Sequence, residues 1–138
     1  MDMLGRAILD QGRAAEAEAI FRRALALKEE GGGTAVSRGI TMHELGRAIL
    51  DQGRAAEAEA TFRRALALKE EGGDTAVSRS ITMHGLGCAI RDQGRTAEAE
   101  AEAMFRRALA LAEEGGGTPG LVDTIRRDLE AAAKALGR

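Results

Sequence analysis

LGRAILDQGRAAEAEA, residues 4–19, returns unchanged at 45–60 and, altered to LGCAIRDQGRTAEAEA, at 86–101. The step is 41 residues both times. A fixed period of this length marks a solenoid, in which each unit is too small to bury its own apolar face and depends on stacking against the next. Function is expected on the stacked surface, because nothing in the chain reads as a catalytic centre.

Residues 4–43 and 45–84 differ at three positions only, Ile20/Thr61, Gly33/Asp74 and Gly39/Ser80. The third copy drifts further and carries two extra residues, since Phe21 to Phe62 is a step of 41 and Phe62 to Phe105 a step of 43. The insertion lies in the Ala-Glu tract, where AEAEAEAMF stands for AEAEATF. Inside a helix, two residues rotate everything downstream by about 200°. The second helix of the third unit is therefore expected either to start earlier or to carry a local bulge.

Each copy reads as two helices. Over residues 34–52, Val36, Ile40, Leu45, Ala48 and Ile49 recur at helical spacing. Gly53 stops that helix, as Gly12 and Gly94 do in the sister copies. Residues 55–71 put Ala58, Phe62, Ala65 and Leu66 on one stripe and Glu57, Arg63, Arg64 and Lys69 elsewhere, so the stripe is the packing face. Glycine-rich loops at 31–34, 72–75 and 115–120 separate the units.

Thr118-Pro119 joins an N-cap to a proline at the first helical position and opens a last helix over 121–136. Thr34 to Leu45 and Thr118 to Leu129 both span 11 residues, so this helix aligns with the first helices of the repeats. It has Leu129-Glu130 where they have Leu-Gly, and it carries Arg126, Arg127, Asp128 and Lys134. Apolar on one side and charged on the other, it is expected to cap the stack. At the other end the first copy begins at Met1 with a short first helix and no polar helix before it. Leu4 and Ile8 are expected to be exposed there and to invite a partner.

Composition narrows the classes. The chain has 138 residues, 44% of them apolar and 30% charged, with 2% aromatic, all phenylalanine. The core must be built from Leu, Ile, Ala and Met. A net charge of −2 offers no whole-chain attraction for nucleic acid or an acidic membrane surface. No apolar run approaches the roughly 18 residues of a membrane span, and residues 1–12 lack the pattern of a signal peptide. The single cysteine, Cys88, cannot close an internal disulfide, which suits a reducing compartment. The expected location is cytoplasmic.

Leu45-Gly46, Ile49, Gly53, Ala58, Phe62 and Ala65 follow, in order and spacing, the core pattern of the tetratricopeptide repeat, which this chain resembles over nearly its whole length. Leu4-Gly5, Gly12, Ala17, Phe21 and Ala24 do so in the first copy. Leu86-Gly87, Gly94, Ala99 or Ala101, Phe105 and Ala108 do so in the third. The period exceeds the about 34 residues usual for that repeat and is similar to the long variant of kinesin light chains and bacterial arrays. Met42 and Ile49 stand where the family often has aromatics, so groove chemistry based on aromatic side chains is not expected.

The resemblance implies an all-α, right-handed superhelical solenoid of three antiparallel helix pairs in one domain. The repeats are expected at about 1–33, 34–74 and 75–117, with a capping helix at about 118–138. It also implies a non-enzymatic protein-interaction scaffold, in which the first helices line a concave groove that takes a peptide from a partner protein. Carried over residue by residue, the groove falls on Asp2, Arg6, Leu9 and Asp10; on Ile40, His43, Arg47, Leu50 and Asp51; and on Ile81, His84, Cys88, Arg91 and Asp92. The alternative is a self-associating module that forms homo-oligomers through Leu4 and Ile8 at its uncapped first repeat, since near-identical units scarcely distinguish one register from the next.

Arg6 and Arg47 occupy equivalent places and suit bidentate recognition of a carboxylate. The plainer reading makes Arg6/Asp10 and Arg47/Asp51 helix-surface pairs at i,i+4, worth a few tenths of a kcal/mol. His43 and His84 are repeat equivalents, but neither HExxH nor clustered Cys/His spacing accompanies them, so no metal is expected. Cys88 replaces Arg47 without an evident catalytic partner and reads as a quiet thiol. The loop 31–34 lacks GxGxxG and the P-loop lysine, so it reads as a connector and no cofactor is expected. Arg22-Arg23, Arg63-Arg64 and Arg106-Arg107, interleaved with Glu and without stacking aromatics, read as a solvated face rather than a nucleic-acid track.

Overall fold

The computed structural model describes residues 2–138, with the backbone alone at Asp2. Seven α-helices follow one another: α1 (Asp2–Asp10), α2 (Ala14–Glu30), α3 (Ala35–Leu50), α4 (Ala55–Glu71), α5 (Ala76–Arg91), α6 (Glu98–Glu114) and α7 (Pro119–Ala135). Among the described residues there is no strand. Contacts divide the chain into two compact units, Met1–Gly73 and Asp74–Arg138. In the first, α1 packs on α2, α2 on α3 and α3 on α4; in the second, α5 packs on α6 and α6 on α7.

The threonine at the head of each long first helix explains where it starts. Thr34, Thr75 and Thr118 lie in extended backbone, and their hydroxyls accept the amides of Ser37, Ser78 and Leu121. Each satisfies one of the amides that a helix start leaves unpaired, worth about 1 kcal/mol. At the other end the chain turns through a glycine in the left-handed region, φ +77° at Gly12 and +80° at Gly53, where a side chain would be strained.

The Leu-Gly pair and the phenylalanine of the next helix form one steric device. A Cβ on Gly5, Gly46 or Gly87 would stand 2.6, 2.8 or 2.7 Å from the ring of Phe21, Phe62 or Phe105. The ring therefore lies directly on the backbone of the first helix, which only glycine permits. All three rings are fully buried, as are Ala17, Ala58 and Ala101 one turn before them. This lock fixes the pairs α1/α2, α3/α4 and α5/α6, and the core is Leu, Ile, Ala, Met and Phe as composition requires.

The two inserted residues do not enter the helix. α2, α4 and α6 each have 17 residues and begin seven residues before their phenylalanine. The surplus is coiled into a 3-10 turn, Arg95–Ala97, between Gly94 and α6. The α-helix thus neither starts early nor carries a bulge, and both expectations give way to a tight turn placed ahead of it. Ala101, four residues before Phe105, takes the buried place of Ala58, and Ala99 is exposed. The physical reason is that a 200° rotation would have swung Phe105 off Gly87, whereas a turn outside the helix leaves the lock intact.

Candidate functional site

The first helices carry the residues that the sequence singles out, and their neighbours decide what each can do. In the first unit α3 places Glu44 almost wholly out of solvent, its side chain 7% exposed. Two guanidiniums meet it: Arg6 of α1 at 3.3 Å and Arg47 of α3 at 3.4 Å, themselves 50% and 45% exposed. A carboxylate this buried requires a cation. The expected Arg6/Asp10 and Arg47/Asp51 pairs are accordingly absent among the described residues, and Asp10 and Asp51 stay exposed without a guanidinium.

Other expected groove residues separate by burial. Leu9 is 4% exposed and is core of the first unit, so its place in an open groove is corrected. His43 is buried too, its ring 5.4 Å from that of Phe62. Ile40 and Leu50 are half-buried, while Ile81 and Asp92 are exposed. The side chain of Asp2 lies outside the described residues. On α1, Leu4 is exposed and Ile8 is half-buried.

In the second unit the corresponding place is built differently. His84 Nε2 lies 2.6 Å from Asp128 Oδ2, Cys88 Sγ lies 3.7 Å from the same nitrogen, and Arg91 Nη1 lies 3.2 Å from Asp128 Oδ1. Arg91 also lies over the Phe105 ring at 5.5 Å, a cation–π contact. Because the carboxylate accepts, Nε2 carries the hydrogen that His84 donates to Asp128. The nitrogen facing the thiol is then already committed to Asp128, so it cannot act as a base toward Cys88. Burial pushes the thiol up to about 11, Arg91 pulling the other way. This is a thiol, not a nucleophilic thiolate.

Glu44 and Asp128 are the residues that sequence reading left out. They were findable: each lies ten residues after its N-cap threonine, Thr34 or Thr118, so the two are repeat equivalents. Arg6 and Cys88 are equivalents likewise, two periods apart.

A second repeated clamp ties a second helix to the segment that follows the next helix. Glu18 of α2 accepts from Gln52 at 2.8 Å and from Arg54 at 2.7 Å, with Arg22 of its own helix at 2.8 Å. Those donors hold the Glu18 carboxyl down to about 2, Arg54 contributing most. In the second unit Arg138 bonds Glu102 in the same way, and Glu102 Oε2 has only Arg106, at 3.7 Å. The first arginine of each pair on the second helices is tied to a carboxylate one turn before it, Arg22 to Glu18, Arg63 to Glu59 and Arg106 to Glu102. Among the described residues no helix is long and apolar enough to cross a membrane.

Paired helices locked by glycine under phenylalanine, repeated on one register, define a helical-repeat protein. The tetratricopeptide repeat family model matches residues 1–71 and 37–114, and the chain belongs to that family. Its fold is a non-enzymatic repeat scaffold that generally mediates protein–protein interaction. The chain is similar in structure to a Podosopora anserina protein described as a kinesin light chain with nearly identical TPR-like repeats, at a TM-score of 0.82 and 21% identity. A single-residue variant of that protein gives 0.81 and 21%. Both alignments cover 99% of this chain, which spans 65% of the length of the other. No curated protein sequence matches.

Proposed function

We propose that the chain is a non-enzymatic interaction module that takes a peptide segment of a partner protein on the face of its first helices, with Arg6 and Arg47 receiving an acidic side chain or a terminal carboxylate. One observation carries this reading. Two half-exposed guanidiniums share the single buried carboxylate of Glu44. Each guanidinium has five N–H donors, and one acidic partner leaves most of them turned to solvent. The cluster of Arg6, Arg47 and Glu44 by itself carries one positive charge, although the chain as a whole is slightly negative. Exposed Asp10 and Asp51 beside them would reject a second anion and so restrict where the peptide's acid can sit.

Fluorescence anisotropy with labelled peptides tests it. Peptides differing only in a free or amidated carboxyl, or in Glu against Gln, should separate, the acidic member binding saturably and more weakly as salt rises. Arg47→Ala and Arg6→Ala should each reduce that preference several-fold. Equal binding of acid and amide, or an unchanged preference in both variants, would sink the reading.

A second reading has its own observation. Met3 and Leu4 of α1 are 84% and 58% exposed, an apolar surface suited to a second copy of the chain. Light scattering should then show a dimer or larger species that Leu4→Glu returns to one chain. A monomer at every concentration would rule it out.

A further inference from the structure

The junction of α5 with α7 brings three different metal-binding side chains to one point. The ligand atoms of His84, Cys88 and Asp128 all lie within 4.8 Å of one another. His84 and Cys88 stand at i and i+4 on one face of α5, and Asp128 comes from α7. Both helices pack on α6, so the set is held by helices rather than by a loop. All three are half-buried, which limits competition from water while leaving a path for an ion.

The distances fit one ion. A tetrahedral zinc takes imidazole nitrogen and carboxylate oxygen at about 2.0–2.2 Å and thiolate at about 2.3 Å, which sets its ligand atoms roughly 3.3–3.7 Å apart. Sγ to Nε2 is already 3.7 Å, and Sγ to Oδ2 is 4.0 Å. Nε2 to Oδ2 is short at 2.6 Å because a hydrogen lies between them. A metal ion replaces that hydrogen, and rotation of the Asp128 carboxyl opens the gap.

We propose that His84, Cys88 and Asp128 form a zinc-binding site with three protein ligands and one position open to water or a partner's side chain. The donor set of one imidazole, one sulfur and one carboxylate is borderline-soft and selects zinc over magnesium or calcium. Arg91 holds the second oxygen of Asp128 and orients the carboxylate, as outer partners of metal ligands do. Its own positive charge lowers the affinity, which places the site below an all-protein structural zinc centre. On binding, the Cys88 S–H becomes a metal–sulfur bond and its proton goes to solvent. His84 ligates through Nε2, which gives up its hydrogen and leaves the ring hydrogen on Nδ1, so binding releases protons. The site belongs to the third repeat alone, because the second repeat has Arg47 where the third has Cys88.

Cobalt(II), titrated into the full chain under reducing conditions, is the probe. One cobalt per chain should give thiolate-to-metal charge-transfer absorption and the intense visible bands of tetrahedral cobalt, both removed by stoichiometric zinc. Cys88→Ser should abolish the charge-transfer absorption, and Asp128→Asn should weaken binding by about tenfold or more. Position 88 carries arginine in the other repeats, so Cys88→Ser is expected to fold, and its helicity by circular dichroism is the check. No charge-transfer absorption in the parent chain would overturn the proposal. So would absorption that survives Cys88→Ser, or a stoichiometry of two chains per cobalt, which would mean a site between copies.

Discussion

The junction between the second helix of one repeat and the first helix of the next occurs in both units, as α2–α3 and as α6–α7, with different chemistry on the same register. In the first unit Lys28 donates to Thr41 at 2.6 Å, and Thr41 is fully buried. In the second unit the same two places hold Ala112 and Ile125, both fully buried. Gln52, which donates to Glu18, is matched by Leu136. Arg6 against Glu44 is matched by Cys88 and His84 against Asp128. The glycine–phenylalanine lock recurs in every pair, while the junction accepts either a hydrogen-bonded or an apolar filling. Geometry is set within a pair by sterics, and the side chains at the junction are left free to vary.

The sharpest way to break the comparison is at the lock. Phe62→Ala and Phe105→Ala should each cost about 3–5 kcal/mol, read as loss of urea stability, because each ring is fully buried against a glycine that cannot fill the void. A small loss in one and a large loss in the other would show that the units do not share one packing rule.

Transplanting the junction sharpens it. Lys28→Ala or Thr41→Ile alone should destabilise by about 1–3 kcal/mol, since each separates a hydrogen-bonded pair and the second also adds bulk. The double substitution recreates the pair of the second unit and should recover about 1 kcal/mol or more of the summed loss. Strictly additive losses would mean that the two fillings are not interchangeable.

The smallest effect concerns pH. Glu18 is held at about 2, below the ordinary carboxylate value, so its clamp contributes fully above about pH 4.5 and is lost as the pH falls toward 2. Because Arg54 and Arg22 are 40% and 50% exposed, solvent screening reduces the contribution to about 1 kcal/mol. Glu18→Gln should flatten the fall in urea midpoint between pH 5 and 2, as measured by circular dichroism. An acid profile unchanged by that substitution would place the acid-labile charge elsewhere.

Most of the fold was legible because the information is local and repeated. The threonine caps, glycine stops and apolar stripe act within one or two turns, and three copies average out accidents of composition. The 3-10 turn was half legible: a two-residue surplus is plain in the sequence, and only the Phe105–Gly87 fit says that it must lie outside the helix. The candidate site was the least legible part. Leu9 reads like Leu50, yet it is buried where Leu50 is partly open. Arg6 and Arg47 were visible as cations, but their partner Glu44 comes from a neighbouring helix for one of them and from three residues away for the other.

The sequence by itself determined the repeat, its period, the helix ends and the identity of the residues that pack each pair, because those follow from 3.6-residue periodicity, capping and the size of glycine. Tertiary structure alone decided that Arg6 meets Glu44 and that His84 and Cys88 meet Asp128, which lies 40 residues beyond the cysteine. The physical reason is that a helix dictates its own faces, whereas which carboxylate arrives opposite a given face depends on how the next helix is seated.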